Sequence, residues 1–416
     1  MYEELHAIYP SLYGSVYDEK EMDRRFSSLI RKHEELFGKK NPMIFSAAGR
    51  TEIAGNHTDH NLGLVIGASI NLDTIAAVSL RDDDTVILHS EGFPPCSISL
   101  DDLSVKETER NTTASLLRGI AAAFRERGSE VRGWEANISS SVVVGSGLSS
   151  SASVEVLIAE IFNSISNGDR LSPLEIARIG QYAENVYFGK PSGLLDQICC
   201  ATGGLVGIDF ADRNNPLVTH LNLDLSQYGL NMVITNTHGC HADLTDEYAS
   251  VPPEMREVAA YFGKENLREV EFSDFLSSMK DIRKKIGNDR ALLRAYHFFT
   301  ENERVRFMID EIREDDIDTF LYNVNESGTS SFCFLQNVYP SSSPSEQGLS
   351  LAIALSQNIL QGEGAVRIHG GGFAGTIQAY VPDHILKRYV REMEELFGSG
   401  SCTLVSFRMK DVSRIM

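Results

Sequence analysis

Residues Val142-Val-Val-Gly-Ser-Gly-Leu-Ser-Ser-Ser-Ala-Ser153 constrain the fold more than any other stretch of this chain. Three β-branched residues run into a glycine/serine loop, and the loop opens directly into an amphipathic segment. Gly145 and Gly147 let the backbone turn where a Cβ would clash. The hydroxyls of Ser149, Ser150 and Ser151 crowd a helix start whose first amide hydrogens lack partners. Such an end binds anions, phosphate above all. Val154, Leu157, Ile158, Ile161, Phe162 and Ile165 recur at spacings of three and four, which predicts one apolar helix face. The stretch reads as a nucleotide phosphate cradle, with a purely structural Gly/Ser turn as the alternative.

Two other phosphate loops fit less well. A Walker loop needs a lysine, and none occurs from Asn137 to Asp169. A Rossmann fingerprint is closer, because Gly145-x-Gly147-x-x-Ser150 follows a strand. That fold then requires a second parallel strand ending in an acidic residue about 20 residues on. Here a polar loop, Ser166–Leu171, leads instead into another predicted helix, Pro173 to about Phe188.

At 416 residues two domains are expected. A polar break at Asp212-Arg-Asn-Asn-Pro216 places the boundary near residue 210, giving 1–210 and 211–416. With 42% hydrophobic and 23% charged residues the composition is that of a globular protein. A net charge of −20 argues against nucleic acid or an anionic membrane as partner. It leaves room for a phosphate substrate served by local amides and a cation. Six scattered cysteines without a CxxC pair, and an opening Met1-Tyr-Glu-Glu-Leu-His without a signal pattern, lead to the expectation of a cytoplasmic protein.

Periodicity predicts helices at Met22–Phe37 and Asn111–Arg127. Strands are predicted at Ile44–Arg50, Leu64–Asn71, Thr74–Leu80, Thr85–Leu88, Trp134–Val144, Gly203–Asp209 and Asn231–Asn236. A long helical region follows from Pro253 to about Gln336, then a helix at Ser345–Leu360. Ala365–His369 and Thr376–Val381 read as strands around a glycine turn.

Three polar segments carry the chemistry. In Gly49-Arg-Thr-Glu-Ile-Ala-Gly-Asn-His-Thr-Asp-His60, ionisable groups lie on a short connection between buried strands, which is costly unless they are paired or used. Arg50, Glu52, His57, Asp59 and His60 could line a sugar-sized polar pocket. A zinc site at His57, Asp59 and His60 lacks a fourth ligand at sensible spacing, and a satisfied polar turn is the plain alternative. Gly189–Gln197 sets a lone carboxylate, Asp196, after a Pro/Gly turn, able to act as base or to stay charged beside an arginine. Glu184, on the preceding helix, is a candidate magnesium ligand; either acid could instead cap or solvate a helix. Gly370-Gly-Gly-Phe-Ala-Gly375 matches GxGxxG but runs into a strand-like alternation, so it reads as a turn packing its backbone near a ligand loop.

In order along the chain, these segments resemble the motifs of the GHMP small-molecule kinase superfamily, and within it the galactokinase family. GRxNxIGEHTDYNxG is similar to Gly49–Gly63, GGGLSSSAS to Gly145–Ser153, GIMDQ to Gly193-Leu-Leu-Asp-Gln197, and GARMTGGGFGGC to Gly364–Thr376. Asn325-Glu-Ser-Gly328 and Asp246-Glu-Tyr248 resemble two further segments. The resemblance implies an α+β, two-domain GHMP kinase fold. Its N-terminal mixed α/β domain is of ribosomal-S5-domain-2 type, its C-terminal domain is ferredoxin-like α+β, and the active site lies between them. It implies ATP- and Mg²⁺-dependent phosphorylation of galactose at the anomeric hydroxyl, with small-molecule sugar and ATP as partners. It makes Arg50 and Asp196 catalytic, and Asn56, His57, Asp59, Gly193 and Tyr248 sugar contacts. Gly145, Ser146, Gly147, Leu148, Ser149, Ser150 and Ser151 would hold the nucleotide phosphates, with Ser151 and Glu184 at the metal.

The chain departs from that pattern at several positions. Asn56 replaces the motif glutamate, which the resemblance places toward the sugar's C6 end, and Glu52 stands where asparagine is common. The exchange raises the alternative of a C6- or C2-modified galactose relative (galacturonate, N-acetylgalactosamine), or of another sugar 1-kinase. A non-catalytic sugar/ATP sensor is a further alternative, disfavoured by the intact loop serines, Arg50 and Asp196. Ala48 and His369 replace a proline and a threonine, and the only tryptophan, Trp134, does not supply the family's adenine-stacking ring.

Overall fold

The computed structural model describes residues 2–14, 16–143, 145, 147–239 and 244–416. Among these, the strands form two sheets. The first is built on β1 (Met43–Ala54), β2 (Leu64–Leu80), β3 (Thr85–Ser90), β4 (Cys96–Ser99) and β5 (Trp134–Ser140), in the order β1-β2-β5-β3-β4. All its neighbours are antiparallel except β3 and β5, which run parallel. The early part of β2 also pairs with β6 (Leu205–Asp209), and β6 with β7 (Leu217–Leu221). The two segments predicted at Leu64–Asn71 and Thr74–Leu80 are therefore one strand. They look separate because the β1–β2 register shifts there: Ala48 faces Asp73 while Gly49 faces Ile70. Such a bulge bends the strand and re-aims the next side chain, here Arg50.

Alternation along these strands serves two cores. Phe45, Ala47, Ala76 and Val78 point to one face, and Ile44, Ile75 and Ala77 to the other. On the second of these faces lie α1 (Tyr2–Tyr13) and α2 (Glu19–Phe37), contributing Tyr9, Phe26 and Leu29. The first is covered by α3 (Thr113–Glu126), α4 (Ser150–Phe162), α5 (Pro173–Tyr182) and α6 (Leu195–Ala201). Each fully buried Leu, Ile or Phe on these faces contributes roughly 1.5–3 kcal/mol. The α5 helix begins with a Ser172/Glu175 capping box and Pro173. It then widens into a π-helical turn, Ala183–Phe188, the kind of local irregularity often found at functional sites.

The second half contains β8 (Leu230–Asn236), α7 (Thr245–Tyr261), α8 (Phe272–Ile286), α9 (Asp289–Glu314), α10 (Ile317–Ser330) and α11 (Gly348–Leu360). It continues with β9 (Ala365–Ile368), β10 (Thr376–Pro382), α12 (Asp383–Phe397) and β11 (Cys402–Val405). The second sheet is antiparallel, ordered β11-β8-β10-β9. Residue 210 falls between β6 and β7, two strands of one sheet, and β12 (Ser413–Arg414) returns to pair with β1. A shared core joins Ile53, Ile66 and Ile70 of the first sheet to Met232, Ile234 and Tyr380 of the second. No helix among the described residues is long and apolar enough to cross a membrane. The fold is the mixed α/β plus α+β arrangement that the motifs implied.

Candidate active site

Arg50 follows the β1 bulge and reaches across to the start of α6. Its Nε donates to Asp196 Oδ1 at 2.7 Å, and its Nη1 donates to the Gly147 carbonyl at 2.5 Å. Its own amide donates to the Leu148 carbonyl at 3.1 Å, so both ends of the residue grip the phosphate loop. Gly49, just before it, sits in a tight place: a Cβ would lie 3.0 Å from Val142 and 3.1 Å from the Leu148 carbonyl, so the neighbours would have to give way.

Ser149 donates its hydroxyl to Asp196 Oδ2 at 2.5 Å. Burial alone would raise the Asp196 pKa; Arg50, the Ser149 hydroxyl and Lys190 together carry it below the ordinary aspartate value. The side chain nevertheless stays 39% exposed, within reach of a ligand. Ser149, anticipated as a phosphate contact, thus spends its side chain on the carboxylate. Its backbone is left-handed (φ 59°), and no side chain caps the α4 start. The α4 amides are left open for an anion. Ser151 is exposed at this end and Gly145 and Ser150 border the loop; Ser146 lies outside the described residues.

Glu184, in the π-helical turn, is buried. Lys190 Nζ contacts its Oε1 at 2.9 Å, and Gln197 Nε2 donates to its Oε2 at 2.9 Å. Gln197 also donates to Glu155 Oε2 at 2.9 Å. Burial, with Glu184 close by, pushes the Glu155 carboxyl well above its ordinary range. Lys190 escaped the sequence reading although it stands in the quoted Gly189–Gln197 segment.

Asp59 lies against Gly193, where any Cβ would overlap its Oδ2. These two anticipated sugar contacts therefore meet. His57 has a left-handed backbone (φ 58°), and its Nε2 lies 3.0 Å from the Gly371 carbonyl. Burial, then His60, hold its pKa below the usual value, so the neutral ring donates through Nε2. Tyr248 donates its hydroxyl to the Gly372 carbonyl at 2.9 Å. Asn56 is fully buried: its Nδ2 donates to Glu52 Oε1 at 2.8 Å and to the Gly370 carbonyl at 2.5 Å, while its Oδ1 accepts from Asn337 Nδ2 at 2.6 Å. The carbonyls of Gly370, Gly371 and Gly372 are thus each held by a side-chain donor, from Asn56, His57 with Asn337, and Tyr248. Asn337 carried no motif signal of its own for this role. Among the described residues no group of three His, Cys, Asp or Glu side chains could hold a metal, which removes the zinc reading of His57, Asp59 and His60.

A two-sheet α+β fold that brings a glycine/serine loop, a paired Arg–carboxylate and a triple-glycine turn together resembles the small-molecule kinases of the GHMP type. Residues 115–204 match the family model for the GHMP kinases N terminal domain, and residues 31–80 the galactokinase galactose-binding signature. The galactokinase of Streptomyces coelicolor is 28% identical over 373 residues, 89% of this chain and 92% of that one. The Lactococcus lactis galactokinase solved with galactose superposes with a TM-score of 0.81 at 25% identity, covering 94% of this chain and 99% of the other. A Methanococcus jannaschii mevalonate kinase shares the fold, with a TM-score of 0.62 at 14% identity over 88% of this chain and 98% of that one. Along most of its length the chain is similar to the GHMP kinases, and among them to the galactokinases. ATP is the co-substrate that likeness to these kinases implies.

Proposed function

We propose that the chain transfers the γ-phosphoryl group of ATP to the anomeric hydroxyl of galactose, giving galactose 1-phosphate and ADP. The observation that carries this is the Arg50–Asp196–Ser149 contact, which ties the sugar motif to the phosphate loop through one exposed carboxylate. With its pKa held low, Asp196 is ionised at neutral pH. It accepts a hydrogen bond from the sugar hydroxyl and aims that oxygen along the line of attack. Arg50 offsets the charge that develops, and the α4 amides steady the phosphates; positioning and electrostatics supply most of the rate.

Glu184 and the exposed Ser151 hydroxyl are hard oxygen donors of the kind magnesium takes, one carboxylate alongside phosphate oxygens and water. A cation at Glu184 competes with the Lys190 ammonium on Oε1. When bound, magnesium supplies charge neutralisation across the phosphates. His57, Asp59, Gly193 and Tyr248 are assigned to the sugar side. The galacturonate alternative loses its footing, because the Asn56 amide is committed to Glu52, Gly370 and Asn337.

The test is ADP release with Mg·ATP across galactose, N-acetylgalactosamine, galacturonate, arabinose and mevalonate. Galactose is expected to lead in kcat/KM. A preference for galacturonate or mevalonate overturns the assignment.

A further inference from the structure

Glu52 and Asn56 lie side by side beneath the triple-glycine turn, 3% and 0% exposed, and neither side chain faces the cleft. Asn56 Nδ2 links Glu52 Oε1 at 2.8 Å to the Gly370 carbonyl at 2.5 Å. Arg367 Nη2 meets the same Glu52 oxygen at 3.3 Å and donates through Nη1 to the Ile53 carbonyl. Gly370 (φ 65°) turns its α-carbon toward the machinery: a Cβ there would lie 3.5 Å from Arg50 Nη2 and 3.4 Å from the Gly147 carbonyl. Contacts therefore run from Arg367 through Glu52 and Asn56 to Gly370, and Gly370 stands beside the guanidinium that holds Asp196 with space for no more than a methyl group between them. The amide and the carboxylate stand in reversed order relative to the galactokinase motif. Since the two side chains touch, the exchange keeps the pair's composition and charge while setting the carboxylate beside Arg367.

We propose that Glu52 and Asn56 are a coupled positioning pair that sets Gly370 against Arg50, so that Glu52 governs turnover without touching the sugar. The inference rests on the phosphoryl-transfer reading above. The charged groups facing Glu52 are Arg50 on β1, Asp59 in the next turn and Arg367 on β9. From α9, Glu301 accepts from the Gly55 amide at 3.0 Å and His297 Nε2 lies 2.8 Å from the Asn56 carbonyl. Burial pushes the Glu52 carboxyl up to about 7, against the pull of Arg367, Arg50 and the Asn56 amide, so the pair changes charge near neutrality.

Steady-state kinetics on the full chain, with whichever panel sugar the wild type phosphorylates, test this. Glu52→Gln is expected to lower kcat about tenfold while sugar KM stays within about threefold, and to abolish the loss of kcat on acidification near pH 7. Glu52→Asn and Asn56→Glu are each expected to lower kcat. Their double exchange should recover most of that loss, as directly coupled residues do. Should Glu52→Gln fail to fold, Glu52→Asp gives the same reading: it keeps the charge, draws it back from Asn56, and should lower kcat while retaining the pH dependence. Full kcat in Glu52→Gln or Glu52→Asp, a loss confined to sugar KM, or a double exchange no better than the summed single losses each overturns the pairing alone. A wild-type chain inert toward every sugar overturns the function and this inference with it.

Discussion

At Asp196, burial and charge pull in opposite directions, and charge wins. A carboxylate held that low is a weak base, so its value lies in direction and charge. Asp196→Asn keeps the shape and removes both the charge and an acceptor for Arg50. Its kcat is expected to fall about a hundredfold to ten-thousandfold, with ATP KM nearly unchanged; retention of full turnover would refute the assignment. Arg50→Lys is expected to cost about a hundredfold, because one ammonium cannot serve Asp196 and the Gly147 carbonyl together. Because the Asp196 pKa lies below the ordinary value, a loss of activity near pH 7 does not come from Asp196; the pairing assigns it to Glu52, and Glu52→Gln separates that from the buried Glu155 and Glu160. The Glu52 pKa is higher folded than unfolded, so its contribution to stability is full below the unfolded value of 4.5 and is lost as pH rises through about 7. Melting temperatures of wild type and Glu52→Gln between pH 5 and 8 should show that slope in wild type only. Arg50, Asp196 and the loop serines were legible in the sequence because each lies in a compact local motif. The Ser149–Asp196 bond was not, since nothing local distinguishes a serine that meets phosphate from one that meets a carboxylate 47 residues away.

The triple-glycine turn shows the same division at the level of elements. That it joins two strands and packs near a ligand loop could be read from the alternation after Gly375, and β9 and β10 do pair antiparallel around it. That its carbonyls are held from the first motif could not, because the partners are 314 residues apart for Asn56 and His57. Asn337 is 281 residues from the Asn56 it meets. The turn tolerates no side chain at its centre. A Cβ on Gly371 would overlap the Tyr248 ring; one on Gly372 (φ 77°) would overlap the Asn337 carbonyl. Tyr248 can swing away and a backbone carbonyl cannot. Gly372→Ala is therefore expected to lose about 1–3 kcal/mol in urea unfolding, and more than Gly371→Ala. Equal stability of the two variants would show that the turn relaxes freely.

Across the whole molecule, Asp73 ties together segments that no motif connects. Fully buried at the β1–β2 bulge, it accepts from Tyr13 Oη at 3.1 Å, Arg25 Nη1 at 2.5 Å and Ser46 Oγ at 2.6 Å, with Arg408 Nη1 at 3.5 Å. Its backbone amide and carbonyl also bond Ser141, where the chain leaves β5 for the phosphate loop. Burial alone would raise its pKa, but Arg25 and Arg408 bring it below the ordinary value. The stability it contributes is present above the unfolded pKa of 3.8 and is lost as pH falls through the folded value. Asp73→Asn leaves the buried Arg408 and the partly buried Arg25 short of a counter-charge. It should lower stability by about 3–5 kcal/mol, read by denaturant midpoint at pH 7; a shift within error would mean that the arginines find other partners.

Arg408 belongs to the tail that ends in β12, and β12 pairs with Phe45 and Ser46 at the outer edge of β1. That edge has no other strand among the described residues. During synthesis on the ribosome, therefore, the β1 edge stays open until residues 413 and 414 have emerged, long after the glycine/serine loop has been made. An unpaired edge is a template for misassociation. Nascent chains stalled before residue 408 should be protease-sensitive at β1 and prone to aggregate, whereas the released chain is not. For this molecule, the strand that carries Arg50 is completed only by a segment made more than 350 residues later.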